Sequence, residues 1–357
     1  MTDSGTKATE PQRRLGARLL IAVPLIIAIS WCALWFSASQ LSGGYLQSWI
    51  KREEALGRAW SCESTNTSGF PLSFTLTCIK PALKANLKSG ALTARFNELK
   101  TTWSPLRPLS AEARVLGPMQ LESAGAPKKI VATWDEFLIG LSGGLASQPA
   151  ATINARKLDL QITMPEGEVV PVFFGKMNVN LVPSKNDQNS ELLRAVINGD
   201  EIDSPTLNHL AGNSELTSFA TTLDFEKFEN LKRGDMVARL EAWRGANGSL
   251  NISNLKIAKG RLALEASGVI HLDHLRRLEG QLQTRTAGLS SLLERLGIPA
   301  LGGPRGGLLG GLFRKQNPPS NQPEEPSGRF IPLPLTLRDG FVWVGPLRTP
   351  LALRPIL

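Results

Sequence analysis

The stretch SLNISNLKIAKGRLALEASGVIHLD, residues 249–273, decides the fold class. In the second half of this stretch, apolar residues occupy even-numbered positions: Leu262, Leu264, Ala266 and Ile270. This period of two is typical of a half-buried strand. A turn falls between two such runs, and a third strand follows in LEGQLQ. The order strand, turn, strand, turn, strand predicts an antiparallel meander that presents one apolar face repeatedly.

Alternating runs recur elsewhere in the chain. Residues 158–164 place Leu158, Leu160, Ile162 and Met164 on one parity, and VVPVFFGKMNVNLV follows at residues 169–182. These runs extend the predicted sheet well beyond the meander.

The C-terminal stretch FIPLPLTLRDGFVWVG, residues 330–345, predicts a closing hairpin. Asp339-Gly340 separates two apolar runs and is a strong signal for a two-residue turn. Pro332 and Pro334 cannot donate backbone hydrogen bonds, which predicts that the incoming strand lies at an edge of the sheet.

Helical patterns are fewer. The best are TWDEFLIGL at 133–141, DFEKFENLKRGDMVARLEAW at 224–243 and LSSLLERLG at 289–297. Residues 301–328 are dominated by Gly, Pro and polar residues and predict a loop. The predicted fold class is therefore mainly β with a few helices, in which an N-terminal transmembrane helix precedes a curved antiparallel sheet.

Cys62 and Cys78 flank a turn-rich segment and the alternating run LSFTLTC, residues 72–78. Adjacent strands can bring two Cα atoms to the roughly 4.4–6.8 Å that a disulfide requires. We predict a disulfide between them, with two buried thiols as the alternative. The choice depends on the compartment, since disulfides persist in oxidising compartments such as the bacterial periplasm.

The N-terminal region predicts a membrane anchor. The segment LLIAVPLIIAISWCALWF, residues 19–36, contains no charged side chain, and about 18–20 such residues can cross the hydrocarbon core as a helix. Arg13, Arg14 and Arg18 precede it, so the positive-inside rule places residues 1–18 in the cytoplasm. The alternative is a cleavable signal peptide with SAS, residues 37–39, as its cleavage site.

Beyond the anchor, residues 44–59 predict an amphipathic helix, which either lies on the membrane surface or packs onto the following domain. Residues 60–357 then form a β-rich domain. In a bacterial cell this organisation places the protein in the inner membrane, with the main domain in the periplasm.

Charge and motifs exclude several function classes. The formal net charge is +9, but Lys and Arg are spread along the chain rather than clustered with aromatic residues, which argues against nucleic-acid binding. His271 and His274 are three positions apart, and on a strand such residues point to opposite faces, which argues against a metal site. No catalytic constellation is recognisable. We expect no enzymatic activity, no metal and no cofactor.

Several segments resemble the bacterial family called domain of unknown function 2125. They are SGFPLSFTLTC at 68–78, TWSPLRP at 102–108, LEASGVIHLD at 264–273, LEGQLQ at 278–283, LSSLLERLG at 289–297 and IPLPLTLRDGFVWVGPL at 331–347. The resemblance covers residues 19–357 and implies an architecture and a location, not an activity. The C-terminal meander in turn looks like AsmA-type envelope proteins, and that resemblance implies an apolar groove involved in phospholipid movement.

These features predict a membrane-anchored envelope protein with an apolar groove that binds lipid, a phospholipid being the candidate ligand. Leu160, Ile257, Leu264 and Leu335 are the candidate groove wall, because each lies on the apolar parity of its strand. The alternative is a structural or scaffolding protein whose apolar faces form a closed core without a ligand. Protein partners cannot be named from the sequence.

Overall fold

The computed structural model describes residues 12–87, 90–124, 128–144, 147–186, 190–231, 236–288 and 330–356. The predicted helix at 289–297 and the predicted loop at 301–328 lie outside these ranges, as do residues 1–11. The α-helices are α1 (Gln12–Ala55), α2 (Pro205–Ala211) and α3 (Met236–Gly245), and a 3-10 helix covers Phe228–Leu231.

The strands form one large antiparallel sheet, so the prediction of a mainly β chain is confirmed. They are β1 (Arg58–Ser61), β2 (Ser64–Ser68), β3 (Phe74–Ile79), β4 (Ala82–Leu87), β5 (Gly90–Arg95), β6 (Glu98–Ser104), β7 (Arg107–Leu116), β8 (Met119–Ser123), β9 (Lys129–Thr133), β10 (Glu136–Gly144), β11 (Ser147–Thr163), β12 (Val169–Lys185), β13 (Glu191–Asp203), β14 (Thr217–Glu226), β15 (Ser249–Lys259), β16 (Leu262–Leu272), β17 (Leu278–Ala287), β18 (Ile331–Pro332), β19 (Leu335–Arg338), β20 (Phe341–Val344) and β21 (Leu347–Ala352).

The first ten strands combine in consecutive pairs, β1 with β2, β3 with β4 and so on, into five longer strands. We call the two halves of each long strand its arms. β1 pairs with β4 while β2 pairs with β3, and the register of the first pair continues into the second. In the same way, β3 pairs with β6 and β4 pairs with β5, and the register is continuous between these two pairs. Two residues without strand pairing separate the two arms of each long strand. These interruptions lie next to one another on neighbouring strands.

This row of interruptions continues through β11, β12 and β13. Lys157 and Glu201 have positive φ angles of 49° and 55°, and Gly175 lies between them in the register. We call the whole row the bend line; it comprises residues 62–63, 80–81, 96–97, 117–118, 134–135, 157, 175 and 201. Irregular residues inside strands bend them, so their alignment bends the sheet along one line.

The bend line also changes which parity faces the apolar side. On β11, Ile153 and Ala155 precede Lys157, whereas Leu158 and Leu160 follow it, and Ala155 and Leu158 pack in one cluster. β12 switches parity in the same way at Gly175, since Phe174 and Met177 pack against that same cluster. The apolar side of the sheet is therefore continuous across the bend.

Leu192 and Ala195 on β13 are buried farther away, but the other buried apolar side chains of β3–β13 lie within four residues of the bend line. They are Cys78, Ala85, Ala94, Val115, Ala132, Ala155, Leu158 and Ile202, each less than 9% exposed. The inside of a bend is shielded from water by both arms, so the apolar side is the inner side of the sheet.

Two sequence predictions of helix were wrong in whole or in part. Residues 133–141, predicted as a helix, lie largely in β10, where Phe137, Ile139 and Leu141 share one face of the strand. Of the predicted helix at 224–243, the first residues end β14 and a regular helix begins only at Met236. In both cases sheet pairing overrides a short-range apolar pattern that fits either structure.

The C-terminal hairpin is confirmed, but the predicted edge position holds only for the first part of its incoming strand. Asp339 and Gly340 have φ angles of 55° and 76° and connect β19 to β20. Among the described strands, β18, which carries Pro332, pairs with β17 alone. β19 lies between β17 and β20 and is not an edge strand. Pro334 falls in the break between β18 and β19, where no ladder hydrogen bond is required of it.

The N-terminal helix α1 includes the segment predicted as an anchor and most of the predicted amphipathic helix. Among the described residues, no helix meets both the length and the apolarity that a membrane crossing requires. The end of α1 packs on β1: the Trp49 and Trp60 rings lie 5.8 Å apart, and Arg58 Nε donates to Glu53 Oε2 at 2.6 Å. This hydrogen bond lowers the pKa of Glu53.

The disulfide between Cys62 and Cys78 is confirmed, with the two Cα atoms 5.5 Å apart. Cys62 lies on the bend line between β1 and β2, and Cys78 lies near the end of β3. The disulfide therefore links the long strand formed by β1 and β2 to the neighbouring strand β3 at the bend line.

We expect the Cys62→Ala, Cys78→Ala double variant to lose about 3 kcal/mol of unfolding free energy, because a closed loop of this size restricts the unfolded chain by about that amount. Urea unfolding of both chains measures the loss. Reduction of the natural chain should lower its midpoint to that of the variant, and an unchanged midpoint would contradict the prediction.

Candidate functional site

The inner side of the sheet carries long rows of apolar side chains, which together we call the apolar face. Residues directly opposite one another on neighbouring strands point to the same side of a sheet. The first row is Phe137, Ala155, Met177, Gly199, Phe219, Ile257 and Leu264. The second row is Phe74, Trp103, Ala111, Leu141, Ala151, Leu181, Ala195, Leu223, Ile252, Gly268, Leu282 and Leu335.

The structure places all four residues of the predicted groove wall on this face. Ile257 and Leu264 are direct cross-strand partners in the first row, and Leu335 ends the second row. Leu160 lies beyond the bend line, where it packs with Phe137 and Met177 of the first row against the same buried cluster. The four residues do not form one contact cluster, because the face extends over many strands.

The opposite side of the sheet is polar. One row on it is Asn154, Asn178, Asn198, Ala220, Lys256, Glu265 and Arg285. Arg285 pairs with Glu265 at 2.5 Å, and the Arg194 guanidinium donates to both Asp224 carboxylate oxygens at 2.7 and 2.9 Å. The hydrogen bond to Asp224 raises the pKa of Arg194. The sheet is thus amphipathic, with its apolar side inward.

Burial on the apolar face differs from that of a closed core. The bulky side chains of the two rows keep partial exposure, except Ile252, whereas several small members, such as Ala155 and Ala195, are buried. In the described part of the chain, the bulkiest side chains with less than 2% exposure are Thr286 and Pro81. A second layer packed on the sheet would bury the large side chains first. The described elements therefore leave the apolar face partly open.

The polar side also contains a depression of about 880 Å³ between β15, β16, β17 and β19. Ser253, Ser267, Gln281 and Gln283 line it, together with His271, whose Nε2 lies 3.5 Å from Glu279 Oε2. Within the described residues, no cluster of three His, Cys, Asp or Glu side chains is arranged to hold a metal ion. This depression offers hydrogen-bonding groups on an open surface and no recognisable chemistry.

The turn between β16 and β17 is organised by Asp273. Its Oδ1 accepts hydrogen bonds from the backbone N–H groups of Leu275 and Arg277 at 2.8 Å, and its Oδ2 accepts one from Arg277 Nε at 2.7 Å. Burial raises the pKa of Asp273, but the backbone and side-chain donors of Arg277 and the Leu275 N–H outweigh it, so the pKa lies below its usual value.

We expect Asp273→Asn to lower the unfolding free energy at neutral pH by about 2 kcal/mol, the usual size of hydrogen bonds to a charged acceptor. A carboxyl group whose pKa is lowered by folding stabilises above its unfolded-state pKa, near 3.8, and loses this contribution as the pH falls below it. Urea unfolding across pH should therefore show the two chains converging in acid. A constant difference at every pH would contradict this assignment.

One group of residues was not predicted to meet. Trp35 of α1 is only 6% exposed, and its ring stacks on Phe74 at 5.1 Å. Phe74 in turn stacks on Trp103 at 5.3 Å. The sequence does not indicate that a helix and two distant strands converge on these rings.

The fold and the apolar face define a class: a single-sheet meander protein, bent along one line, with an apolar inner side. The chain matches a family model over residues 35–351 and belongs to the family described as "Uncharacterized protein conserved in bacteria (DUF2125)". The predicted family membership is thereby confirmed. No curated protein and no solved structure matches the chain.

Proposed function

We propose that this protein is a non-enzymatic lipid-binding protein of the bacterial envelope, anchored in the inner membrane by residues 19–36. Its main domain faces the periplasm and holds the acyl chains of a phospholipid against the apolar face. On this proposal the protein is functionally similar to AsmA-type envelope proteins.

The partial exposure of the apolar face is the observation that carries the proposal. Its second row alone crosses the sheet from β3 to β19. Trp35 of α1 stacks on its first member, Phe74, and Ile252 near its other end is buried, but the remaining bulky side chains keep partial exposure. Soluble monomers rarely expose continuous apolar surfaces above a few hundred Å². An acyl chain on this surface gains about 0.8 kcal/mol for each buried methylene, before ordering costs are subtracted.

The proposed location rests on two further features. The segment 19–36 is uncharged and follows Arg13, Arg14 and Arg18, which favours an anchor with a cytoplasmic N-terminus. The disulfide between Cys62 and Cys78 suits an oxidising compartment such as the periplasm.

Mass spectrometry of retained lipid tests the proposal. The full-length chain is purified in detergent and washed extensively, and its phospholipid is quantified per chain. A fragment that ends at residue 57 carries the helix without the sheet and measures the lipid that an anchor alone retains. We expect the full-length chain to retain phospholipid in excess of the fragment, and equal retention would refute lipid binding by the sheet.

A further inference from the structure

One turn of the sheet is fixed to the helix α1 near the end of its apolar segment, and a second turn is joined to the first. Trp31 Nε1 donates to the Pro71 carbonyl at 2.9 Å, and Trp35 Nε1 donates to the Ser73 carbonyl at 3.0 Å. Phe70 contacts the Trp35 ring edge to face, with the centroids 5.4 Å apart. The turn between β2 and β3, residues 69–73, is therefore held against the helix.

The turn between β6 and β7 is joined to the first one. Ser104 Oγ donates to the Leu72 carbonyl at 2.9 Å, and Trp103 stacks on Phe74. We call the two turns together, residues 69–73 and 103–109, the seat. Its outward apolar side chains are strongly exposed: Phe70 is 49%, Leu72 57%, Leu106 68% and Leu109 46% exposed.

The contacts with the helix fix the position of the seat along the helix axis, relative to the apolar segment 19–36. Trp31 lies five residues before Phe36, which is about 7 Å along a helix axis. Its partner Pro71 is consequently level with the apolar segment and not beyond its end. Ile27, one turn before Trp31 on the same side of the helix, is 63% exposed, so apolar surface continues from the helix towards the seat.

From this geometry we infer that the seat lies inside the bilayer, in the half nearest the sheet, and that the apolar face opens there onto the acyl chains of membrane lipids. The inference rests on the anchor of the proposed function. Exposed Phe, Leu and Trp side chains in turns are suited to the boundary between headgroups and acyl chains, and Arg107 between them can extend its charge to the headgroups.

The seat is continuous with the second row of the apolar face. That row starts at Phe74, which stacks on Trp35, and passes through Trp103 and Ala111 to Leu141. Trp103 is 36% and Leu141 51% exposed, so the side of the row nearest the helix is open. An acyl chain could pass from the bilayer onto the row without crossing water.

Site-directed fluorescence tests the seat in the full-length chain. In a Cys32→Ser background the disulfide cysteines do not react, so the variants Leu72→Cys and Leu106→Cys each carry one reactive thiol for an environment-sensitive label. Ile27→Cys, 63% exposed on the helix, reports the anchor. Leu216→Cys, 51% exposed before β14 at the opposite end of the sheet, is the matched control.

The labelled chains are reconstituted in vesicles of phosphatidylethanolamine and phosphatidylglycerol that contain a lipid with a nitroxide on its acyl chain. We expect labels at 27, 72 and 106 to lose most of their emission, and the label at 216 to keep it. Quenching at 27 without quenching at 72 and 106 would overturn the seat and leave the anchor intact. Absence of quenching at all positions would overturn both proposals. Blue-shifted but unquenched labels at 72 and 106 would place the seat against protein, in the same chain or a second copy, and would also overturn the inference.

Discussion

The Leu264→Asp chain is expected to retain no more phospholipid than the helix fragment, while keeping its β-sheet circular dichroism. Leu264 lies in the first row of the apolar face, opposite Ile257, and is partly exposed. A carboxylate there lies in the path of an acyl chain, which would have to desolvate it at a cost of several kcal/mol. Because the position retains access to water in the lipid-free chain, the folded state tolerates the charge.

The matched control is Val269→Asp on the same strand. Val269 lies on the polar side of β16 and is 46% exposed, so its charge should leave lipid retention unchanged. Unfolding of Leu264→Asp alone, together with a natural chain that retains no lipid, would support the closed-core alternative. Loss of lipid in both variants would mean that the apolar face is not the site.

Gly175→Ala is expected to lower the unfolding free energy by about 2 kcal/mol or more, as overpacking in a confined position usually does. Gly175 lies on the bend line beside Glu201, and a Cβ atom at position 175 would come within 2.6 Å of Glu201 Cβ. Glu201 has a φ angle of 55°, so its backbone has little freedom to move away. Gly245→Ala is the control, because a Cβ atom there meets nothing within 4 Å.

A double-mutant cycle separates this collision from a general effect on the strand. Glu201→Gly removes the side chain that the added methyl group at position 175 would meet, and glycine suits a positive φ angle. The double variant should therefore recover most of the stability lost by Gly175→Ala, and urea unfolding of the four chains gives the coupling energy. Additive losses would mean that the two residues do not meet at the bend.

Much of the sheet could be predicted from single-strand patterns. The runs at 249–273 and 331–344 are regular enough that parity alone assigns strands and turns, and Asp339-Gly340 sets the final hairpin. The disulfide followed from spacing and compartment. The side of the sheet to which the four candidate wall residues point also followed from parity, because the run that was used for each of them does not cross the bend line.

The bend could not be predicted by following one parity along each strand. In residues 153–160 the apolar positions change from odd to even at Lys157, a change that resembles the end of one strand and the start of another. Only pairing between strands shows that Lys157, Gly175 and Glu201 are neighbours. Irregular residues bend the whole sheet only when they lie next to one another on neighbouring strands. Their position relative to one another depends on the pairing register, which the pattern of a single strand does not give.

Contacts between distant segments were also beyond the sequence. The apolar residues of 133–141 fit a helix as well as a strand until β7 and β11 pair with them on both sides. Trp31 and Trp35 lie in the segment predicted as an anchor, but their bonds to Pro71 and Ser73 join segments about forty residues apart. Such contacts depend on the whole fold and leave no local pattern.

The most direct test of the central claim is photocross-linking with a phospholipid that carries a diazirine at the end of one acyl chain. The full-length chain is reconstituted with this lipid and irradiated, and the modified peptides are mapped by mass spectrometry. Acyl binding on the apolar face predicts cross-links at inward residues of β15 and β16, such as Ile257 and Leu264, in addition to the helix. Cross-links confined to residues 19–36 would contradict it.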